Sequence, residues 1–384
     1  MDFDLSEEQQ LLQDGVARLL TDRYDFEQRR AVIAQPDGWS RALWRQFAEL
    51  GLLALPFSEA DGGLGGGAID LMLVMEAFGR HLVVEPYLAN IVLAGGCLRH
   101  AANAAQRAAL LPAVMAGERL LALAHVERGA RYDISHVQTR ARHSGDHWII
   151  DGAKAFVLNG DAAQQLIVSA RTAGEPGDRH GLALFLVDAD AAGVARRGYF
   201  TQDRSRAADV TLRDVRVGQD RVLGTSGAAL GVLERIIDEA LVALCAEAVG
   251  VMSRLHELTV EYLKQRRQFG VAIGSFQALQ HRAVDMLVAV EQARSMMLYA
   301  TMMIAEPDQG SRARAVSAAK VQIARSGRFV GEQAIQLHGG IGVTEECAAG
   351  HFYRRLTMFE LLFGDTAHHL SALARAGGVP DIAG

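Results

Sequence analysis

The chain has 384 residues, half of them apolar and 22% charged, with 7 prolines. That composition excludes a disordered chain, a collagen-like one and a small disulfide scaffold, and the length allows two or three domains with sizeable cores. The formal charge is −6 and basic residues are scattered among acids, which excludes the clustered basic face of a nucleic-acid binder.

Cys97, Cys245 and Cys347 lie far apart and form no CxxC pair, so neither a disulfide framework nor a metal site of familiar spacing is expected. The start, MDFDLSEEQQLLQDG, has no basic region followed by an apolar one, and no apolar run reaches the length of a membrane span. A cytoplasmic protein with no membrane contact is the expectation.

The first third reads as helix. Ser6 and Gln9 have the spacing of a capping box, and Leu11, Leu12, Val16, Leu19 and Leu20 recur at helical intervals. Ser40 starts a second helix, RALWRQFAEL, which Gly51 ends. The loop DGGLGGGAID follows no strand and ends in no lysine, so it reads as a connection rather than a phosphate cradle. Helical patterning resumes at LMLVMEAFGRHL and runs to Gly117.

From Leu120 the period changes. HVQTRARHSGDHWIIDGAKAFVLNG holds strand-forming runs split by Gly-Asp and Asp-Gly turns, and QQLIVSART, GLALFLVDAD and ADVTLRDVRV continue in that style. Near Gly224 the helical period returns, with helices expected over 228–265, 275–305, 311–337 and 352–376. Met296, Met297, Met302 and Met303 read as core packing of one of these helices. The fold class is α+β: an N-terminal helical domain (1–119), a central β-barrel or sandwich domain (120–224) and a C-terminal four-helix bundle (225–384).

Three segments carry a resemblance: YLKQRRQFGVAIGSFQALQHRAVDM from Tyr262, QAIQLHGGIGVTEE from Gln333, and the helix–β–helix order itself. Together they resemble the flavin-dependent acyl-CoA dehydrogenases over essentially the whole chain. The N-terminal segment and the late FGDTAHHL are most similar to small subunits of heteromeric bacterial members, such as pimeloyl-CoA dehydrogenase; heteromeric steroid-side-chain dehydrogenases are similar too.

That chemistry needs a carboxylate placed to take the α-proton of a thioester, donors for the enolate oxygen, and a flavin held rigidly against the substrate. The resemblance implies that Arg266, Gln268 and Phe269 reach across a dimer interface to the diphosphate and adenosine of a neighbour's FAD, with Gln336, Gly339 and Gly340 completing the cradle. A guanidinium suits the task because its planar fork can bond two phosphate oxygens.

Other family positions have changed. Val126 stands where a flavin-holding threonine is expected, and Tyr132 where a serine is. Phe156 takes a tryptophan position, and Leu158 that of a threonine near flavin N5. The base glutamate position falls on Gly364, followed by Asp365 and Thr366. A minority of members carry the base on the helix opening the last domain, where Ala240 stands beside Glu239; a family arginine near CoA falls on Leu241. One helix step turns a side chain by about 100°. Glu239 is therefore not an obvious stand-in for the base; Asp365 is the other candidate, though it is also placed to cap the last helix. Thr366 and His368, with His369 beside it, are candidate FAD contacts.

The expected function is FAD-dependent α,β-desaturation of an acyl-CoA thioester by the small subunit of a heteromeric complex. The base would sit on a paralogous large subunit, and electrons would leave to an electron-transfer flavoprotein or a similar acceptor. The alternatives are a self-sufficient homo-oligomer using Asp365 or Glu239, and a catalytically silent structural subunit.

Overall fold

The computed structural model describes residues 5–377 and divides into two compact units. One is helical, its described residues being 5–31, 68–83 and 241–377; the other, from 32–67 and 84–240, holds the sheet.

The N-terminal third is helical in both units. Helices α1 (Glu7–Arg23), α2 (Phe26–Ile33), α3 (Arg41–Glu49) and α4 (Ala68–His81) are followed by a π-helical turn (Leu88–Ala94), α5 (Gly95–Ala101) and α6 (Ala104–Met115). The capping box of α1 forms as expected, Ser6 accepting from Gln9 N–H and Gln9 accepting from Ser6 N–H. Ser40 caps α3 in the same way.

The sheet unit contains β1 (Leu121–Ala124), β2 (Arg140–Ser144), β3 (His147–Leu158), β4 (Gln165–Arg171), β5 (Leu182–Asp188), β6 (Val194–Phe200), β7 (Arg206–Gly218) and β8 (Val222–Leu223). They make one eight-stranded sheet in the order β6-β7-β3-β2-β4-β5-β8, with β1 parallel to β4. β4 is buried along its whole length, Gln165, Ser169 and Arg171 as well as its apolar residues. Ile150, Val157, Leu166, Phe185 and Val210 centre the core.

Helix α7 (Ala229–Gln265) passes from the sheet unit into the helical one at Ala240/Leu241. A short hairpin of β9 (Arg267–Gln268) and β10 (Val271–Ala272) leads to α8 (Gln277–Met303) and α9 (Gln309–His338). The segment expected as one helix over 352–376 is two, α10 (Ala348–Leu361) and α11 (Thr366–Arg375). Phe363 and Gly364 break it, with φ of +56° and +123° that a helix cannot include. Of the methionines on α8, Met297 is buried, whereas Met302 faces outward because five helix steps turn it by about 140° from Met297.

Helices α4 and α7 cross closely in the helical unit. A Cβ at Gly79 would run into the Glu247 carbonyl, and one at Gly250 into that of Glu76, so both positions require glycine. Across α7 and α10, Glu247 holds Arg355 bidentately through Nε at 2.6 Å and Nη2 at 2.5 Å. Helix α9 packs against α8, α10 and α11 and forms the spine of this unit.

Candidate functional site

The first group of expected site residues sits on the β9–β10 hairpin. Arg266, Gln268 and Phe269 are all exposed, and Phe269 is 91% exposed. The turn needs two residues with positive φ, supplied by Phe269 at +53° and Gly270 at +81°. Bulky residues avoid that region, and such backbone strain concentrates at functional positions. Phe276 braces the Phe269 ring edge-to-face at 6.2 Å. Gln268 turns its amide N–H onto the Arg267 carbonyl at 2.8 Å, while Arg267 donates to the Gly270 carbonyl at 3.0 Å.

The second group, Gln336, Gly339 and Gly340, closes α9 and is also exposed. Gly339 has φ of +66°, and a Cβ built on Gly339 or Gly340 meets nothing within 4 Å. Their backbone is thus open to an approaching group. Tertiary packing joins the two groups: Tyr262, at the root of the hairpin, stacks on His338 at 4.6 Å with the rings 23° apart. His338 is held against the Ala334 carbonyl at 2.8 Å, and burial lowers its pKa, favouring the neutral ring. A guanidinium, an amide and open glycine backbone on one outward surface form a donor set that fits a dinucleotide diphosphate.

The third group is the turn between α10 and α11. Gly364 occupies the expected base position, and the space a side chain would enter is filled. A Cβ there would lie 2.5 Å from His369 Nε2 and 2.7 Å from His368 Cδ2. His369 is buried, its Nδ1 3.1 Å from Ser317 Oγ, and burial together with the Lys320 charge pulls its pKa down to about 3. Lys320 donates from α9 to the Phe359 and Leu362 carbonyls and lies 3.9 Å over the Phe359 ring. It thereby caps the C-terminal end of α10.

Each carboxylate at this turn is engaged. Asp365 accepts from His368 N–H at 2.8 Å and is the N-cap of α11. Glu360, which the sequence reading passed over, accepts from Thr366 N–H at 2.9 Å and Thr366 Oγ1–H at 3.0 Å. Thr366 therefore spends its hydroxyl proton within the chain. Glu360 closes α10 only four residues before Gly364, and that closeness in sequence was the signal that could have found it.

Glu239 lies in the sheet unit and is closed off as a base. Arg99 Nη2 lies 2.8 Å, His100 Nε2 2.9 Å and Arg235 Nε 2.9 Å from its carboxylate. Burial alone would raise its pKa, but the His100 hydrogen bond and the Arg99 charge prevail and hold it at about 2. A carboxylate so tightly paired has little proton affinity at neutral pH, which weighs against Glu239 as a base.

The flavin-edge positions Val126, Tyr132, Phe156 and Leu158 are all half-buried in the sheet unit. Phe156 has φ of +54° at an irregularity in the β3–β7 pairing, between Lys154 and Val157. Beneath them Glu127 accepts from Gln138 N–H at 2.6 Å, Thr139 N–H at 3.0 Å and Lys154 Nζ at 2.7 Å. Burial lowers the Lys154 pKa to about 8, against the Glu127 charge. The loop is firmly built, yet Val126 and Leu158 present no side-chain hydrogen-bonding group to a flavin ring.

Comparison with known proteins agrees with this organisation. Family models match as "Acyl-CoA dehydrogenase, N-terminal domain" over residues 6–118, "middle domain" over 122–215 and "C-terminal domain" over 224–378. A glycine-to-alanine variant of the Tcur3481-Tcur3483 steroid ACAD is 31% identical, with a TM-score of 0.86 over 97% of this chain and 98% of that one. The ChsE4-ChsE5 complex from Mycobacterium tuberculosis is 26% identical, with a TM-score of 0.87 over 98% of each chain. An FAD complex of PigA is 26% identical, with a TM-score of 0.90 over 98% of this chain and 99% of that one. The succession of helical, sheet and helical segments matches the flavin-dependent acyl-CoA dehydrogenase class. This chain belongs to the acyl-CoA dehydrogenase family.

Proposed function

We propose that this chain is the small subunit of a heteromeric, FAD-dependent acyl-CoA dehydrogenase whose catalytic base is carried by a paralogous large subunit. The observation that carries this reading is the filled space at Gly364, where two histidine rings stand in the way of any side chain. The other nearby carboxylates cap or brace α11, and Glu239 is held by the Arg99 and Arg235 guanidinium groups and the His100 ring. Two solved relatives whose names join two components, a steroid ACAD and the ChsE4-ChsE5 complex, support a two-chain assembly.

FAD, when bound, accepts a hydride from the β-carbon of the acyl thioester. This chain's contribution is grip. Arg266 neutralises the diphosphate, the Gln268 amide bonds the nucleotide, and Phe269 packs on it; Gln336 and the backbone at Gly339 and Gly340 close the cradle. The partner supplies the carboxylate that removes the α-proton and most contacts to the flavin ring. An electron-transfer flavoprotein or a comparable carrier then takes the electrons.

The test is expression of the chain alone and together with the paralogous dehydrogenase encoded beside it. Flavin absorbance and acyl-CoA dehydrogenation are read in both preparations. The proposal expects both only in the co-expressed complex. Full flavin occupancy with turnover by the chain alone overturns it.

A further inference from the structure

We propose that a basin on the outer face of β3, β7 and β6, beside the flavin-edge positions, binds a small organic anion of nucleotide size; its rim carboxylate Asp209 accepts from the Phe156 backbone. The basin encloses about 680 Å³, within the range of small-molecule sites. None of Val126, Tyr132, Phe156 or Leu158 lines it.

The register explains why a hollow exists there. Ala153 pairs with Thr211, and Thr211 with Ala195, so one row across three strands carries only small side chains. An exposed sheet face ordinarily raises longer side chains at such positions. Gly152 and Ala155 extend the low floor along β3. The next row holds Arg197 opposite Asp209.

Charge supplies the recognition. Arg128, from the loop after β1, and Arg197, from β6, meet at Asp209 Oδ2, at 2.8 and 2.9 Å through one Nη2 each. Both guanidinium groups are largely exposed, so their remaining N–H groups face solvent beside the floor. Lys154 and Glu127, beneath the wall, neutralise each other at 2.7 Å. Arg196 also lines the basin but spends its Nη1 on the carbonyls of Gly160, Asp161 and Ala163. The two arginines at the rim thus exceed the single Asp209 carboxylate between them, and Gln138 and Thr211 add neutral polar groups. A flat, low floor beside a pair of forked cations suits a ring carrying a phosphate or carboxylate.

Isothermal titration of the full chain with ADP at physiological salt tests the proposal, with inorganic phosphate as the probe for charge alone. ADP is expected to bind more tightly than phosphate. Arg128→Ala combined with Arg197→Ala is expected to weaken ADP by about ten-fold or more. Ala195→Phe, which fills the hollow and leaves every charge in place, is expected to weaken it comparably. Arg266→Ala removes the proposed hairpin cradle's hold on a diphosphate, so the ADP binding that persists in this variant is the basin's and is expected to keep its dependence on Arg128, Arg197 and Ala195; circular dichroism checks that each variant is folded. The proposal is overturned if ADP does not bind, if phosphate binds as well as ADP, if Ala195→Phe has no effect, or if ADP binding follows Arg266 instead of the basin.

Discussion

Helix α9 carries two sites built in opposite ways. Near its start, Ser317 and Lys320 face a turn that is sealed: histidine rings fill the space at Gly364, a buried ammonium caps α10, and Asp365 and Glu360 tie down α11. At its far end, Gln336, Gly339 and Gly340 are exposed beside a hairpin whose phenylalanine is almost wholly in solvent. Sixteen residues of helix separate Lys320 from Gln336, a rise of about 24 Å. A protein that ran the whole reaction on its own residues would keep the first site open. One that lends a grip to a neighbour needs only the second. The difference teaches that loss and retention can be read separately in one helix, because each depends on what packs there.

The largest expected effect breaks the sealed half. Gly364→Glu must force a side chain into two imidazoles at a backbone angle that favours glycine. Thermal denaturation should show a loss of roughly 2–4 kcal/mol, and the chain alone should gain no dehydrogenase activity. Native stability together with turnover would show that the site was open after all.

Glu239→Gln comes next and concerns stability. The carboxylate titrates at about 2 in the folded chain, against a reference of 4.5. Because the folded value is depressed, its contribution is present above about pH 4.5 and is lost as pH falls towards 2, amounting to about 3 kcal/mol. The variant should lose most of that at neutral pH, and its acid-denaturation limb should flatten over the same window. Dehydrogenation by the surviving folded complex should persist, because this carboxylate takes no proton from substrate.

Arg266→Ala sharpens the open half. Removing a charged hydrogen-bonding partner should weaken FAD binding to the co-expressed complex by about 1.5–3 kcal/mol, read by flavin titration, with no change in the chain's melting temperature. An unchanged flavin affinity would favour the silent structural subunit.

The smallest effect on stability belongs to Phe269→Gly. Relief of the left-handed strain and the greater freedom of the unfolded chain oppose each other, so stability should move by no more than about 0.5 kcal/mol. Flavin retention by the complex should still fall, because the exposed ring is placed to contact a neighbour.

Much of the fold was legible because its signals are local. The Ser6–Gln9 box, the Ser40 cap and the turns between strands each lie within a few residues. The split between α10 and α11 was missed because apolar periodicity runs across Leu361 and Leu362, and a single glycine does not announce that its neighbour Phe363 adopts positive φ. At the site, Arg266, Gln268 and Phe269 were legible as a motif, and their exposure follows from a turn encoded by consecutive residues. The pairing of Glu239 was not legible because its partners Arg99 and His100 stand 140 and 139 positions away.

By itself the sequence determined the order of helical, strand and helical regions, the Arg266, Gln268 and Phe269 motif and the absence of a glutamate at position 364, since each is a matter of residue type and short spacing. Only the tertiary structure decided that His369 fills the place beside Gly364, that Tyr262 and His338 bring the hairpin to the end of α9, and that Glu239 is neutralised by its neighbours. Those outcomes depend on packing and charge between segments remote in the chain, where burial and pairing set both the space available to a side chain and its affinity for a proton.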